Sequence, residues 1–398
     1  MNRFSLRRAV HSQRVTRRGF LQLGGAAATA AFLAACGGQT NVAPAMTPTV
    51  APVAPTALPT SAPTAMSAAA RELFLYNWSD YIAPETVESF QKDLKATLVQ
   101  DYYASNEDLL AKIEAGGVGY DVVVPSEYMV QIMAERDLLL PLDWSRIPNT
   151  QYISPPFDKG RPHDPDNQWS VPKNWGTFGI MWNTDQVPDE FTSWADLWRL
   201  ASKYSGKIVL VDSAPEVFGA ALKLLGYSYN STDPKEIDAA LEKLVELKPH
   251  VRSFESNQGG MFVTGEAVLG MGWNGDAASA NAQRKEAGGS ETIVYAVPSE
   301  GSLLWEDDWA ILKTAPHPEL ALEFINYVIE PQRQAAETNY SYYGSPQEQA
   351  KKYINPDVLA DPAVYPSAEV MARLEPAKSL PDEALQYREE AWTKLKSA

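Results

Sequence analysis

Rings, carboxylates and hydroxyls cluster at six places in this sequence, three of which join a ring to an acid: Trp78, Asp80 and Tyr81; Ser126 and Tyr128; Asp212 and Glu216; Trp273 and Asp276; Trp305 and Asp307; and Tyr343. A carboxylate beside an aromatic face suits an organic ammonium, through charge-assisted hydrogen bonds and cation–π attraction. Acids among tryptophans also describe a glycosidase cleft or a sugar receptor, and all three classes stay open on residue types alone. No serine, cysteine or zinc hydrolase motif accompanies them, and His163, His250 and His317 lack metal-ligand spacing. The tyrosine pairs Tyr102-Tyr103 and Tyr342-Tyr343 could suggest a ferric-ion clamp, but the sequence offers no matching His or carboxylate set. Structural alternatives exist for each residue. A tryptophan can simply cover a core edge, and Glu216 could stabilise its own helix N-terminus by about 0.3–1 kcal/mol.

Such side chains can converge only if the elements that carry them end at one place. Residues 73–78 are apolar enough for a buried strand, and Pro84 suits a first helical turn followed by the stripe Val87, Phe90, Leu94. Strand, loop, helix is therefore expected, with Trp78, Asp80 and Tyr81 in the loop. In open α/β sheets ligands bind beyond the carboxyl ends of the strands. Residues 96–103 read as a strand, 106–115 as a helix closed by Gly116-Gly117, and 120–125 as a central parallel strand delivering Ser126 and Tyr128 to the same edge. A helix over 129–137, a loop over 141–168 and strands over 169–182 follow. Beyond them, Ser193 is a plausible N-cap, 207–211 a strand, 212–216 the opening of a helix over 217–225, and Asp233 the cap of a helix to Leu247. Strands are expected at 267–273, at 292–297 and from Trp305, helices at 277–287 and 318–328, a tyrosine-rich loop at 340–346 and a mostly helical tail over 368–396.

The first 36 residues carry six arginines and no acid, with Arg17-Arg18 ahead of an apolar run over 24–35 that ends in Leu33-Ala34-Ala35-Cys36. This reads as a twin-arginine-type export signal, 1–36, and its end resembles a lipobox, with Cys36 as the lipidated residue and the membrane as a partner. Cys36 is the single cysteine, so no intramolecular disulfide can form. Residues 37–70 hold six prolines and no charge and read as a semi-extended linker. Removing the six signal arginines leaves 28 basic residues against 50 acidic ones. That field disfavours nucleic acid and anionic ligands and attracts cations.

The stretch Leu75-Tyr76-Asn77-Trp78-Ser79-Asp80-Tyr81-Ile82-Ala83-Pro84 resembles the opening signature of the polyamine-binding proteins of bacterial ABC importers, the spermidine/putrescine-binding family. The likeness continues through Asp121-Val122-Val123-Val124-Pro125-Ser126, Ser193-Trp194-Ala195-Asp196-Leu197-Trp198, Glu216-Val217-Phe218, Gly226-Tyr227-Ser228, Thr232-Asp233-Pro234-Lys235-Glu236-Ile237 and Ala391-Trp392-Thr393-Lys394-Leu395-Lys396. It implies an α/β periplasmic-binding-protein fold of type II, with a ligand cleft between two lobes, 71–175 plus 303–350 and 176–302 plus 351–398. Two crossovers are implied near 173–177 and 297–303. It further implies a monomeric receptor without enzymatic activity, cofactor or metal, which passes putrescine or spermidine to an ABC permease. Carried over residue by residue, Trp78, Trp273 and Trp305 would wall the methylene chain, and Asp307 and Glu216 would hold ammonium groups, with Asp80 helping at one end. Tyr81, Ser126, Tyr128 and Tyr343 would supply hydroxyls and aromatic faces. Ser213 stands where spermidine-preferring relatives have an acid, whereas Trp273-Asn274-Gly275-Asp276 resembles the putrescine-preferring pattern and Tyr128 the spermidine type. Ligand preference and the roles of Asp212, Ser213 and Asp276 are thus left open.

Overall fold

A computed structural model of the chain describes residues 71–117, 119–255 and 258–398. The export signal, the linker and Cys36 lie outside the described residues. The strands are β1 (Arg71–Trp78), β2 (Ala96–Tyr103), β3 (Val122–Val123), β4 (Ser170–Asn183), β5 (Ile208–Val211), β6 (Val251–Glu255), β7 (Leu269–Trp273), β8 (Ile293–Ala296), β9 (Leu303–Ile311) and β10 (Glu375–Pro376). They join in one sheet of order β2-β1-β3-β9-β4-β7-β5-β6, with β8 added to β4 and β10 to β9.

This order contains the same unit twice. In each unit the first strand lies between its second and third, all parallel: β1 between β2 and β3, and β5 between β6 and β7. Each unit then receives one antiparallel strand, β9 beside β3 and β4 beside β7. Where a first strand has its successor on one side and the third on the other, a crevice opens at the carboxyl ends. Both units therefore offer their crevice where the notable aromatic and acidic residues stand.

Alternation along the strands builds two cores. In the first unit, Leu73, Leu75, Val122, Trp309 and Ile311 face Phe90, Phe324, Ile325 and Val328 from the helices Pro84–Leu94 and Pro318–Val328. The intervening residues Tyr76, Val123, Ala310 and Leu312 face Leu109, Ile113, Met129 and Met133 on the other side. Period two on the strands and 3.6 on the helices account for both faces. The second unit packs Phe178, Ile180, Leu210, Val217, Phe218, Leu244, Leu269 and Met271, with Trp392 and Leu395 of the C-terminal helix Asp382–Ser397. β4 pairs with β9 through Thr177 and with β7 from Phe178 onward, so the chain passes between cores at that peptide. β9 also spans both, since Leu303 and Trp305 pack in the second core and Trp309 and Ile311 in the first.

Several local readings shift. The strands expected over 169–182 are one strand of 14 residues, buried throughout, with a bulge between Pro172 and Asn174. The helix Glu127–Glu135 begins directly after Ser126, and the helix Asn274–Glu286 directly after Trp273, each earlier than the apolar spacing implies. The helix Pro331–Ser341 and strand β6 are additional to the sequence reading, and the tail is helical only over Ala368–Met371 and Asp382–Ser397.

Phe324 is fully buried between Phe90, at 5.0 Å between ring centroids, and Trp309, at 5.4 Å. Phe324→Ala should cost about 3–5 kcal/mol in urea unfolding, against roughly 0.5 kcal/mol or less for the surface control Val99→Ala.

Candidate functional site

Asp307 lies in β9 close to where that strand changes cores, and its side chain is 6 % exposed. Tyr81 donates its hydroxyl to Asp307 Oδ2 at 2.6 Å, and Ser126 donates to Oδ1 at 2.6 Å. Ser126 occupies the N-cap position of its helix without capping it: its hydroxyl donates to Asp307, and its oxygen accepts from Asn106 Nδ2 rather than from a helix amide. Burial pushes the Asp307 carboxyl up to about 6, against the pull of these two hydrogen bonds and of the Lys173 charge. A carboxylate held this way is short of a cation.

From Asp307 a continuous run of rings leads to the second core. Tyr81 meets Tyr343 edge to face at 5.8 Å, Tyr343 meets Trp305 at 4.7 Å, and Trp305 meets Trp273 at 5.9 Å. At the far end stands Asp276, whose Oδ2 accepts from the Trp273 amide at 3.1 Å and from Gln258 Nε2 at 3.0 Å. Burial pushes the Asp276 carboxyl up to about 7, despite that backbone bond. Two acids with raised affinity for protons thus bracket an aromatic path, an arrangement suited to a chain with a cation at each end.

A second branch leaves Asp307 through Ser126. Asn106 Nδ2 reaches Ser126 Oγ at 3.0 Å and the Tyr128 hydroxyl at 3.1 Å, and Tyr128 in turn donates to Glu107 Oε1 at 3.1 Å. The charge of Glu216 also raises the Tyr128 pKa, after the larger effects of burial and of Glu107. Glu216 is buried in the first turn of the helix Ala214–Leu224 and accepts the Ser213 hydroxyl. Burial pushes its carboxyl up to about 7. Trp78 is half-buried; its indole donates to the Val124 carbonyl at 2.8 Å, and its ring meets Tyr103 at 4.6 Å.

Two acids named from the sequence stand elsewhere. Asp80 is exposed, in a left-handed conformation (φ 53°), on a groove of about 300 Å³ that Tyr102 and Tyr340 also line. Tyr81 is the one residue of the Asp307 cluster that lines this groove as well. Asp212 is exposed and paired with Lys396 at 2.6 Å.

Some charged neighbours are absent from the sequence reading. Lys173, at the β4 bulge, is completely buried with its ammonium 3.8 Å from the centre of the Tyr81 ring and 3.6 Å from Glu337 Oε2. Burial lowers its pKa, opposed by Glu337 and Asp307. A lysine as the one charged residue of a 14-residue strand was the available signal. Near Asp308, a further buried network joins Arg161 Nη1 to Asp308 at 2.5 Å and to Glu306 at 3.0 Å, with His163 3.0 Å from Asp308. Candidate ligand atoms of His163, Glu306 and Asp308 lie within 4.8 Å of one another. The Arg161 guanidinium already supplies the cation there.

Asp307, Glu216 and Asp276 contribute to the pH dependence of stability through their raised folded-state pKa values. The folded chain holds their protons more tightly than the unfolded one, so their contribution is fullest at low pH and is lost as pH rises through about 6 to 7. Asp307→Asn should flatten the fall in urea midpoint between about pH 4 and pH 6 and raise the midpoint at pH 8.

Residues 85–366 match the family model described as bacterial extracellular solute-binding protein. The spermidine/putrescine-binding periplasmic protein of Escherichia coli is 40 % identical over 315 residues, 77 % of this chain and 87 % of its relative. Among solved structures, the spermidine/putrescine ABC transporter substrate-binding protein of Streptococcus pneumoniae superposes with a TM-score of 0.70 at 33 % identity, covering 82 % of this chain and 99 % of the other. A Treponema pallidum lipoprotein gives 0.73 at 29 % identity, covering 81 % and 99 %.

Proposed function

This chain belongs to the bacterial extracellular solute-binding proteins, and from that premise we propose that it captures polyamines, putrescine or spermidine, and delivers them to an ABC importer. The observation that carries this reading is the aromatic path from Asp307 through Tyr81, Tyr343, Trp305 and Trp273 to Asp276. A diammonium ligand has the same pattern, with charge at the ends and methylenes between. An ammonium is expensive to dehydrate, so only acids and a full set of acceptors make its burial tolerable. Asp307 with Tyr81 and Ser126 would supply that at one end, and Asp276 or Glu216 at another. The rings would replace water around the carbons and add about 0.5–2 kcal/mol per cation–π contact. The ligand, bridging residues from both cores, would shift an open–closed equilibrium by its preference for the closed form.

Export of the chain agrees with the periplasmic relatives. A finer reading, retention at the outer face of the cytoplasmic membrane through a lipid on Cys36, rests on the lipobox-like Leu33-Ala34-Ala35-Cys36, with residues 37–70 as spacer. Asp80 is assigned to the approach of the ligand, beside Tyr81.

Calorimetric titration of the full chain with putrescine, spermidine and a sugar panel tests the reading; saturable binding of sugars and not of amines would overturn it. Asp307→Asn should weaken polyamine binding by about 2–5 kcal/mol, roughly 30-fold or more. Affinity in the unsubstituted chain should decline as pH falls through about 6, with protons released on binding, because the ligand competes with the Asp307 proton. Cys36→Ala should shift the protein from the membrane fraction to the soluble exported fraction.

A further inference from the structure

We propose that Asn274 and Gly275 form a clasp that joins the two cores at the ligand site and sets the angle between Trp273 and Tyr343, an inference that rests on the polyamine reading. Asn274 opens the helix Asn274–Glu286 and is fully buried. Its Oδ1 accepts from the Thr177 amide at 3.0 Å, and Thr177 is the last residue of β4 to pair with β9 before the strand passes to β7. Its Nδ2 donates to the Tyr342 carbonyl at 3.0 Å. Tyr342 ends the helix Pro331–Ser341 in a left-handed conformation (φ 58°), and Tyr343 follows directly. A single amide side chain thus links the crossover strand, the helix behind Trp273 and the loop that carries Tyr343. Both a donor and an acceptor are needed, which asparagine provides and aspartate does not.

Gly275 lets the same segments approach. A Cβ there would lie 2.5 Å from Tyr343 Cε1 and 2.6 Å from the Ser341 carbonyl oxygen. Gly176, next to Thr177, is packed as tightly: a Cβ would lie 2.3 Å from Asn274 Oδ1 and 2.4 Å from Trp305 Cζ2. Trp305 touches both walls, Tyr343 at 4.7 Å and Trp273 at 5.9 Å. Rotation of Tyr343 against Trp273 therefore has to break the Asn274 bonds or separate the Gly275 contact. Asn274 and Gly275 act as positioning residues: they touch no ligand and fix the two rings that would.

The test compares the full chain with Gly275→Ala, Asn274→Ala and Asn274→Asp by amide hydrogen exchange without ligand, urea midpoint, and calorimetry with putrescine and spermidine. Gly275→Ala and Asn274→Ala should speed exchange first at Thr177 and at Gly344, whose amide donates to the Trp175 carbonyl at 2.7 Å, lower the midpoint and weaken both amines roughly tenfold or more. Asn274→Asp retains an acceptor for Thr177 and should keep that amide protected while affinity still falls. Unchanged exchange and affinity would overturn the clasp, and so would exchange that rises uniformly along the chain, the mark of general destabilisation. If the unsubstituted chain bound neither amine, the polyamine reading would fail, and exchange at Thr177 and Gly344 would decide the clasp alone.

Discussion

A carboxylate buried without a full counter-charge is the constraint on which the rest of this molecule turns. Asp307 is held in place by two hydroxyls, and those hydroxyls arrive from the loops after β1 and β3. Removing a carboxylate from water is costly, and hydrogen bonds to neutral donors offset only part of that cost. The deficit appears as the raised proton affinity of Asp307. Lys173 is buried nearby, yet Glu337 claims much of its charge at 3.6 Å. The ammonium is also turned over the Tyr81 ring, which orients the phenol whose hydroxyl reaches Asp307. The basic residue thus serves the geometry of the acceptor set without cancelling the acid.

Exchange of strands between the cores converts that local demand into an architecture. Each parallel unit borrows an antiparallel strand that continues into the other, β9 beside β3 and β4 beside β7. Carboxyl ends of β1, β3, β5 and β7 are thereby turned toward the two strands the units share. Asp307 lies on one of them, and Lys173 and Thr177 on the other. Side chains far apart in sequence become neighbours because both crossing points fall within four adjacent residues of paired strands, Asn174 opposite Asp307 and Thr177 opposite Leu304.

Much of this was legible where apolar periodicity and breakers agree. Leu73 to Pro84 declares a strand, a loop and a helix in twelve residues, and the apolar run ending at Pro125 marks the position of Ser126. The α/β class, the order of most elements and the convergence of Tyr81, Ser126, Trp273, Trp305, Asp307 and Tyr343 could be reached from such signals combined with the family resemblance. The helix Pro331–Ser341 was hidden because its buried face is largely polar: Gln334, Glu337 and Thr338 leave no apolar stripe to detect. Arg161 and Asp164 lie in an aperiodic segment whose turns bury charge, and periodicity carries no information about ion pairs formed with a strand some 145 residues away. β6 escaped because its residues are only partly buried and include Arg252. Asp80 followed Trp78 closely enough in sequence to be placed with it. The left-handed turn at Asp80 separates their directions, sending Tyr81 inward and leaving the carboxylate outside.

Polar side chains at helix starts carry the remaining logic. Ser126, Ser213 and Asp276 all stand where a helix N-terminus calls for a cap, but only Asp276 accepts a backbone amide there; Ser126 and Ser213 give their hydroxyls to buried acids. A missing cap costs about 1 kcal/mol, while an acid without a donor in a buried site costs at least as much. In the first two helices the serine proton goes to the acid and no backbone amide is accepted in return; Asp307 lies within the shared strand β9, and Glu216 in the first turn of its own helix. At the third, the acid is itself the cap, so a cation arriving there competes with the amide of Trp273 for the same oxygen. The two ends of the aromatic path are therefore unequal: Asp307 keeps both oxygens on hydroxyls that can rotate to make room, whereas Asp276 is committed to its own helix. An amine held at the Asp307 end meets acceptors already arranged for it, and the far end yields only as far as its helix allows.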